Sequence, residues 1–331
     1  MEMPKALQMA LELKLSGLRQ ADMVKDAQAL SLNYRMKGSE GERRVTRDEQ
    51  ALAYAAARMP ATFGAVFCAL SEALKSIDCC PRTLLDTGAG TGAACWAADM
   101  LLSLESVTCL EREQAMRKVG SALMAEGPAV LKGAVWMAHD LVKEDILKQA
   151  ELVTAAYVLN EIPEADRGKA IQKLWAATQT LLVLVEPGTP QGFEHLRKAR
   201  EMLLGLGAHI AAPCPHENEC PMASEDWCHF SCRVARSRLH MVLKGGEAPY
   251  EDEKFAYLAV ARGKCSPAND RVLRHPKVHT GHVVLEVCAS EGLLAKTLSR
   301  RDGPLYKQAR NLKAGDGIRE SLQDAKDPEA F

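Results

Sequence analysis

The sequence predicts an α/β protein built on a parallel, doubly wound sheet. Three observations carry that expectation: short apolar runs alternate with helical stretches from Thr83 onward, a glycine-rich turn follows the first run, and an acidic residue ends the second. Before that sheet, residues 5–34 place Leu7, Leu11, Leu15, Leu18 and Met23 at helical spacing, which predicts one or two amphipathic helices. Gly38 to Arg47 reads as a charged linker. Thr46-Arg47-Asp48-Glu49 fits a capping box, and the Ala-rich helix after it is expected to stop at Pro60 and resume from Phe63 to Ile77. The expected strands are Thr83–Thr87, Ser106–Leu110, Ala134–Ala138, Leu152–Leu159 and Leu181–Val185, then His209–Ala212, Phe255–Ala261 and His282–Val287. Four regions result: a helical 1–80, a Rossmann-like core over 81–213, a cysteine-rich 214–315 that includes the last core strands, and a polar tail over 316–331.

A chain of 331 residues can bury a full α/β core and carry one further module. The strongest apolar run, Leu181 to Val185, is far short of the roughly 18 residues a membrane span needs. Met1 to Lys14 mixes acids and bases at helical spacing, unlike a secretory or transit peptide, so the expectation is a soluble, cytoplasmic protein. Net charge is only -1, yet residues 228 to 313 hold sixteen Lys and Arg against eight Asp and Glu. That local excess makes nucleic acid a candidate partner, with a solvated surface as the alternative.

Asp86-x-Gly88-x-Gly90-x-Gly92 follows a strand and precedes an apolar helix, where glycines let backbone approach a cofactor at the helix N-terminus. Glu111, nineteen residues after Gly92, ends the next strand at the place from which a carboxylate receives ribose hydroxyls. A nicotinamide dinucleotide fits Gly88, Gly90 and Ala93, but the order of Asp86 and the three glycines favours S-adenosylmethionine (SAM), with Asp140 where the adenine amine would lie. Glu111 and Asp140 also fit plain helix N-caps. Asn160 and Glu161 end the fourth strand and are the candidates to orient a methyl acceptor, or else to tie off the next helix. No Asn-Pro-Pro-aromatic sequence stands there, which leaves catalysis open.

Cys214, Cys220, Cys228 and Cys232 fall within nineteen residues. Thiols grouped so tightly in a reducing compartment hold zinc or an iron-sulfur cluster more often than they form disulfides. Gaps of five and seven residues lean towards a cluster, whereas Cys68, Cys79, Cys80, Cys95 and Cys109 read as small apolar residues. Basic residues flank the thiols: Arg233, Arg236, Arg238 and Lys244 on a helix-like stretch, then Arg271, Arg274 and Lys277.

Several segments together resemble the methyltransferase-like assembly proteins of the small ribosomal subunit, a family with mitochondrial and bacterial branches. They are Leu85-Asp-x-Gly-x-Gly-x-Gly, Tyr157-x-Leu-Asn-Glu, Glu186-Pro-Gly-Thr-Pro-x-Gly192-Phe, Ala212-Pro-Cys-Pro-His216, Cys220-Pro, Asp226-Trp-Cys-His-Phe230 and Lys254-Phe-x-Tyr-x-Ala-Val-x-Arg262, between about Arg58 and Gly315. The resemblance implies a class I methyltransferase fold, a 4Fe-4S cluster and association with small-subunit rRNA. It also implies that the fourth ligand is Cys288, where spacing alone selects Cys232. Three functions follow: an rRNA methyltransferase of subunit maturation, a non-catalytic assembly factor on the same fold, or a small-molecule methyltransferase with a zinc-stapled lid. In the first two the basic residues above contact rRNA phosphates.

Overall fold

The structure, a computed structural model, describes residues 1–35, 45–223, 225–244 and 248–319. Most of the expected linker from Gly38 lies outside the described residues. Three helices come first: α1 (Lys5–Leu15), α2 (Gln20–Arg35) and α3 (Asp48–Leu74). The core then runs β1 (Thr83–Thr87), α4 (Ala93–Asp99), β2 (Ser106–Glu111), α5 (Gln114–Met124), α6 (Ala129–Lys132), β3 (Val135–Ala138), β4 (Ala150–Ala156), α7 (Glu164–Ala177), β5 (Thr178–Pro187), α8 (Pro190–Gly205), β6 (His209–Ala212), β7 (Phe230–Ala235), α9 (Arg238–Lys244) and β8 (Tyr250–Ala261). A second unit follows, with β9 (Asp270–Val272), β10 (Lys277–Val278), β11 (His282–Ala289), β12 (Gly292–Ser299), α10 (Pro304–Ala309) and β13 (Gly317–Ile318).

The core sheet has the order β3-β2-β1-β4-β5-β8-β6, with β7 also on β8. Strands β1 to β5 are parallel and β8 runs against its neighbours, so the doubly wound sheet expected of a class I methyltransferase is mixed at one side. Its parallel strands β1, β2, β4 and β5 are largely buried because helices cover both faces, while β3 at the edge is mostly exposed. Helices α3, α4 and α5 pack on one face around Trp96, Phe63 and Leu123, and α7 and α8 on the other around Leu174, Leu196 and Leu203.

Several local expectations are corrected. Helix α3 continues through Pro60. Proline costs a helix interior about 3 kcal/mol, but burying Met59, Phe63, Val66 and Leu70 on either side contributes about 1.5–3 kcal/mol each. The Thr46–Glu49 capping box does not form; the Thr46 N–H donates to Gln50 Oε1 instead, at 3.2 Å. Helix α3 is also long and apolar enough to cross a membrane by length and composition, and 67% of an apolar 18-residue stretch within it is buried inside the fold. Strand β4 ends at Ala156, and Leu159–Glu161 form a 3-10 turn. The stretch after Cys228 is helical only over Arg238–Lys244, in α9; Phe230–Ala235 is β7, burying Phe230, Cys232 and Val234 on alternate positions. In the tail, Gly317–Ile318 pair with β9, and residues 320–331 lie outside the described residues.

Strand β8 positions the rest. Phe255 is partnered by both Pro187 of β5 and Phe230 of β7, so β7 lies on the side away from β5. There it shares an edge with β6, which pairs with β8 at Ala259–Ala261. The edge is thus split, and residues 213–229 leave the sheet at the split. The second sheet, β10-β11-β9-β13 with β12 on β11, has its own core of Val272, Val283, Leu285, Val287 and Leu298. It is tied to the first by the Ser266 N–H to Ser76 carbonyl bond at 2.8 Å and by Arg319 on Ser76 Oγ at 3.1 Å.

Candidate cofactor cleft and thiol pocket

A cleft of about 2770 Å³, partly open solvent, lies over the carboxyl ends of the parallel strands. Open α/β sheets bind ligands there, where strand order reverses between β1 and β4. Gly88, Gly90, Glu111, Asp140, Asn160 and Glu161 all line it. Gly88 (φ 66°) and Gly90 (φ 54°) adopt left-handed backbone, and a Cβ on Gly90 would project into open space where a ligand would sit. Both oxygens of the Glu111 carboxylate accept backbone N–H groups, from Gly90 at 2.8 Å and Glu113 at 2.7 Å, which fixes the loop while leaving lone pairs for hydroxyls. Asp140 accepts from the Val142 N–H at 3.1 Å, a turn-capping bond made at the cleft wall.

Two predicted residues stand elsewhere. Gly92 caps α4 with φ 87°, packed against Met124 and Trp136. Asp86 is buried beneath the loop, accepting from Thr154 Oγ1 at 2.7 Å and Cys95 Sγ at 3.5 Å, and does not border the cleft. A carboxylate in that place braces β1 against β4 and α4; it is too deep to meet a cofactor amine. Burial pushes its carboxyl up to about 7, against the Thr154 and Cys95 hydrogen bonds, and burial likewise pushes Glu186 up to about 8. An acid raised on folding holds its proton longer in the native state, so unfolding free energy falls as pH climbs through the window from about 4 to about 8. Asp86→Asn should therefore flatten the decline in denaturation midpoint across that window; an unaltered slope would remove Asp86 as a cause.

The side of the cleft after β4 carries groups with no role assigned from the sequence. Tyr157 sits at φ 62°, an uncommon backbone for a bulky residue, and its hydroxyl donates to Glu253 Oε1 at 3.0 Å. Arg58 reaches the same oxygen at 3.4 Å. Glu186 is fully buried and holds the Leu159 N–H at 2.9 Å, fixing the turn that presents Asn160. The sequence signal for these was the tyrosine after β4 and the acid ending β5.

At the split edge of β8, one largely apolar pocket is lined by Cys214, Cys220, Cys228 and Cys288, together with Tyr257, Met222, Arg200 and Arg271. Burial and mutual repulsion raise three of these thiols: Cys228 feels Cys214, Cys220 and Cys288, and Cys288 is pushed up to about 12. Cys232 is not part of this group. It lies inside β7 and faces α3, hydrogen-bonded to Cys68 and close to Gly64. Among the described residues no three His, Cys, Asp or Glu side chains are grouped closely enough for one metal ion.

Two arginines frame the pocket, and neither role was visible beforehand. Arg200 of α8 is 5% exposed and donates to the carbonyls of His216 and Asn218 at 3.0 and 2.6 Å, leaving Nε without a partner. Arg271 of β9 is 1% exposed; it meets Glu72 Oε2 at 2.6 Å and the carbonyls of Pro213 and Gly315 at 2.8 and 2.7 Å, leaving Nη2 without a partner. Buried donors of this kind beside four thiols match an anionic thiolate-bound group. The four thiols and the two arginines thus share one pocket.

The other basic residues are committed internally. Arg233 pairs in two-pronged fashion with Asp252, Arg236 with Glu251, Arg274 with Asp226, and Lys277 with Glu286. Arg271 is buried, so the expectation that it contacts phosphate is withdrawn. The side chains of Arg238 and Lys244 lie outside the described residues.

The profile of a family described as "Mitochondrial small ribosomal subunit Rsm22" matches residues 48–319. The chain belongs to the Rsm22 family. This Rsm22-family chain is 32% identical over 291 residues to the mitochondrial ribosome assembly protein METTL17 of Homo sapiens, across 80% of its own length and 61% of that protein. It is 26% identical to the mitochondrial Rsm22-cox11 tandem protein 2 of Schizosaccharomyces pombe, across 82% of this chain and 43% of the other. The chain therefore spans about three-fifths of the first relative and less than half of the second. Solved structures of similar shape include a putative RNA methyltransferase from Pyrococcus horikoshii, 13% identical with TM-score 0.39, covering 72% of this chain and 96% of the other. Magnesium protoporphyrin IX methyltransferase from Synechocystis, with bound SAM, is 14% identical with TM-score 0.40, covering 75% and 99%. Likenesses of that size carry no argument about ligand or substrate.

The family description and both relatives' names are mitochondrial, which overturns the cytoplasmic placement. The spacing at Met1–Lys14 that supported it serves packing, since α1 buries Leu7, Leu11 and Leu15. Its composition reports a helix packed on the core.

Proposed function

We propose that this protein is an assembly factor of the small ribosomal subunit that binds SAM in the β1/β4 cleft, carries a 4Fe-4S cluster at the split edge of β8, and docks on small-subunit rRNA. The observation that carries the reading is the meeting of Cys214, Cys220, Cys228 and Cys288 around one pocket framed by Arg200 and Arg271. Four thiolate bonds to a cluster would clamp the 213–229 loop to β11, and the two guanidinium groups would balance its negative charge. The preference for a cluster over zinc draws on the gaps of five and seven residues between the first three thiols, longer than the short knuckles zinc sites favour. In the cleft, Gly88 and Gly90 would take the cofactor's approach, Glu111 its ribose hydroxyls and Asp140 its adenine edge.

The expected result for anaerobically purified protein is about four iron and four sulfide per chain, with small-subunit rRNA recovered by crosslinking in cells. Iron-free protein holding one zinc would favour the zinc-stapled lid instead.

A second reading, methyl transfer to rRNA, draws on Asn160 and Glu161 bordering the same cleft as the glycine loop. Binding without transfer is the better account, because Arg58, Glu253 and Tyr157 are joined across the acceptor side. Calorimetry should register SAM binding to the native chain and none to Gly90→Arg, whose side chain would occupy the cleft. Ribosomal RNA from cells carrying Gly90→Arg should keep its full set of modifications; a methylated position that disappears would make the protein an enzyme.

A further inference from the structure

The basic excess of the C-terminal third is concentrated where it was not expected. Arg233, Arg236, Arg271, Arg274 and Lys277 are spent on acids within the fold, and Lys296 pairs with Asp270. By contrast Arg300, Arg301, Lys307, Arg310 and Lys313 are all exposed, and no carboxylate among the described residues lies within ion-pairing distance of them. They fall within fourteen residues that contain one acid, Asp302, whose carboxylate accepts from the Ser299 N–H at 2.6 Å and the Ser299 hydroxyl at 2.9 Å.

These cations stand on a rigid base. The Ser299–Asp302 capping box fixes the turn that bears Arg300 and Arg301. Helix α10 is anchored by Tyr306 and Ala309 in the core of the second sheet, and Lys307 and Arg310 are three apart on its outer side. Arg310 lies over the Tyr306 ring, its centre 5.8 Å from the ring centroid.

We infer that the turn at Arg300–Asp302 and α10 form a preorganised docking platform for the sugar-phosphate backbone of folded RNA. Three of the five cations are arginines, whose planar forks match phosphate oxygens in pairs. A lipid surface is the weaker fit. The exposed Leu293 and Leu294 that would enter a bilayer are at the opposite end of β12 from Ser299, about 17 to 20 Å away by strand rise. The inference rests on the rRNA partner proposed above and names the face that meets it.

The test is the salt dependence of binding to transcribed small-subunit rRNA, using the full chain with Arg300, Arg301, Lys307, Arg310 and Lys313 all changed to glutamine. Each lost phosphate contact lowers the slope of log K against log salt by about 0.9, so a fall of about four to five is expected, with a Kd raised on the order of tenfold or more. The set Arg233→Gln, Arg274→Gln and Lys277→Gln should keep the native slope. If the fivefold variant melts early, Lys307→Gln with Arg310→Gln serves instead, with an expected fall of about two. An unchanged slope in the platform variant, or an equal loss in the paired set, overturns the platform while leaving rRNA as partner. A native chain that binds no rRNA overturns both. Loss of binding to phosphatidylserine vesicles with rRNA binding intact would make the face a lipid contact.

Discussion

Cys288→Ser should strip iron and acid-labile sulfide from anaerobically purified protein and abolish its thiolate-to-iron absorbance, whereas Cys232→Ser should retain all three. The two residues make the sharpest contrast in the molecule, because local spacing favours one and three-dimensional position the other. Cys288 is on β11, opposite Arg271 in the ladder, with its Sγ 3.7 Å from His216 Nε2 and in the same pocket as Cys214, Cys220 and Cys228. Cys232 is on the far side of β8's partner strand, against Cys68 of α3. A serine oxygen is a poor substitute for a soft thiolate, so loss of one of four ligands should be close to complete. The reverse pattern would place the ligand set on the chain segment alone.

Arg271→Met should destabilise the protein by about 3 to 5 kcal/mol, the usual cost of removing one partner from a buried ion pair. Its guanidinium joins three separate elements: Glu72 at the end of α3, the Pro213 carbonyl beside Cys214, and the Gly315 carbonyl before β13. The Glu72 carboxyl is held below its ordinary value mainly by this arginine, against the opposing effect of burial. Denaturant unfolding of cluster-free protein isolates the structural effect. Glu72→Gln added to Arg271→Met should restore part of the loss, since the stranded carboxylate is then neutral; no recovery would mean that the carbonyl bonds dominate.

Much of this was legible in the sequence, for identifiable reasons. Strands β1, β2, β4 and β5 are buried on both faces over most of their length, so each carries apolar residues at consecutive positions between turn residues. Gly88, Gly90, Glu111 and Asp140 reach one cleft because the strand ends that carry them are neighbours in the sheet. Strand β7 was hidden: its inward residues Phe230, Cys232 and Val234 alternate with Ser231 and Arg233, and the three-residue step from Arg233 to Arg236 imitates a helix face. The pairing of basic residues was also out of reach, since Arg271 finds its acid 199 positions away in Glu72. A charge count sees both residues and cannot join them. Pro60 misled in the other direction, because a local rule gave way to the burial of a long helix on the sheet.

The distance along the chain between Cys228 and Cys288 has a consequence for the timing of maturation. Three sulfurs come from the loop at the split edge, but the last sits on a strand of the second sheet, which a ribosome making this protein delivers sixty residues after Cys228. Under the proposed function, a cluster held by all four sulfurs would have to wait until that sheet has folded and come to rest against Glu72 and Ser76. A loaded protein would thus certify that its two sheets had been correctly joined.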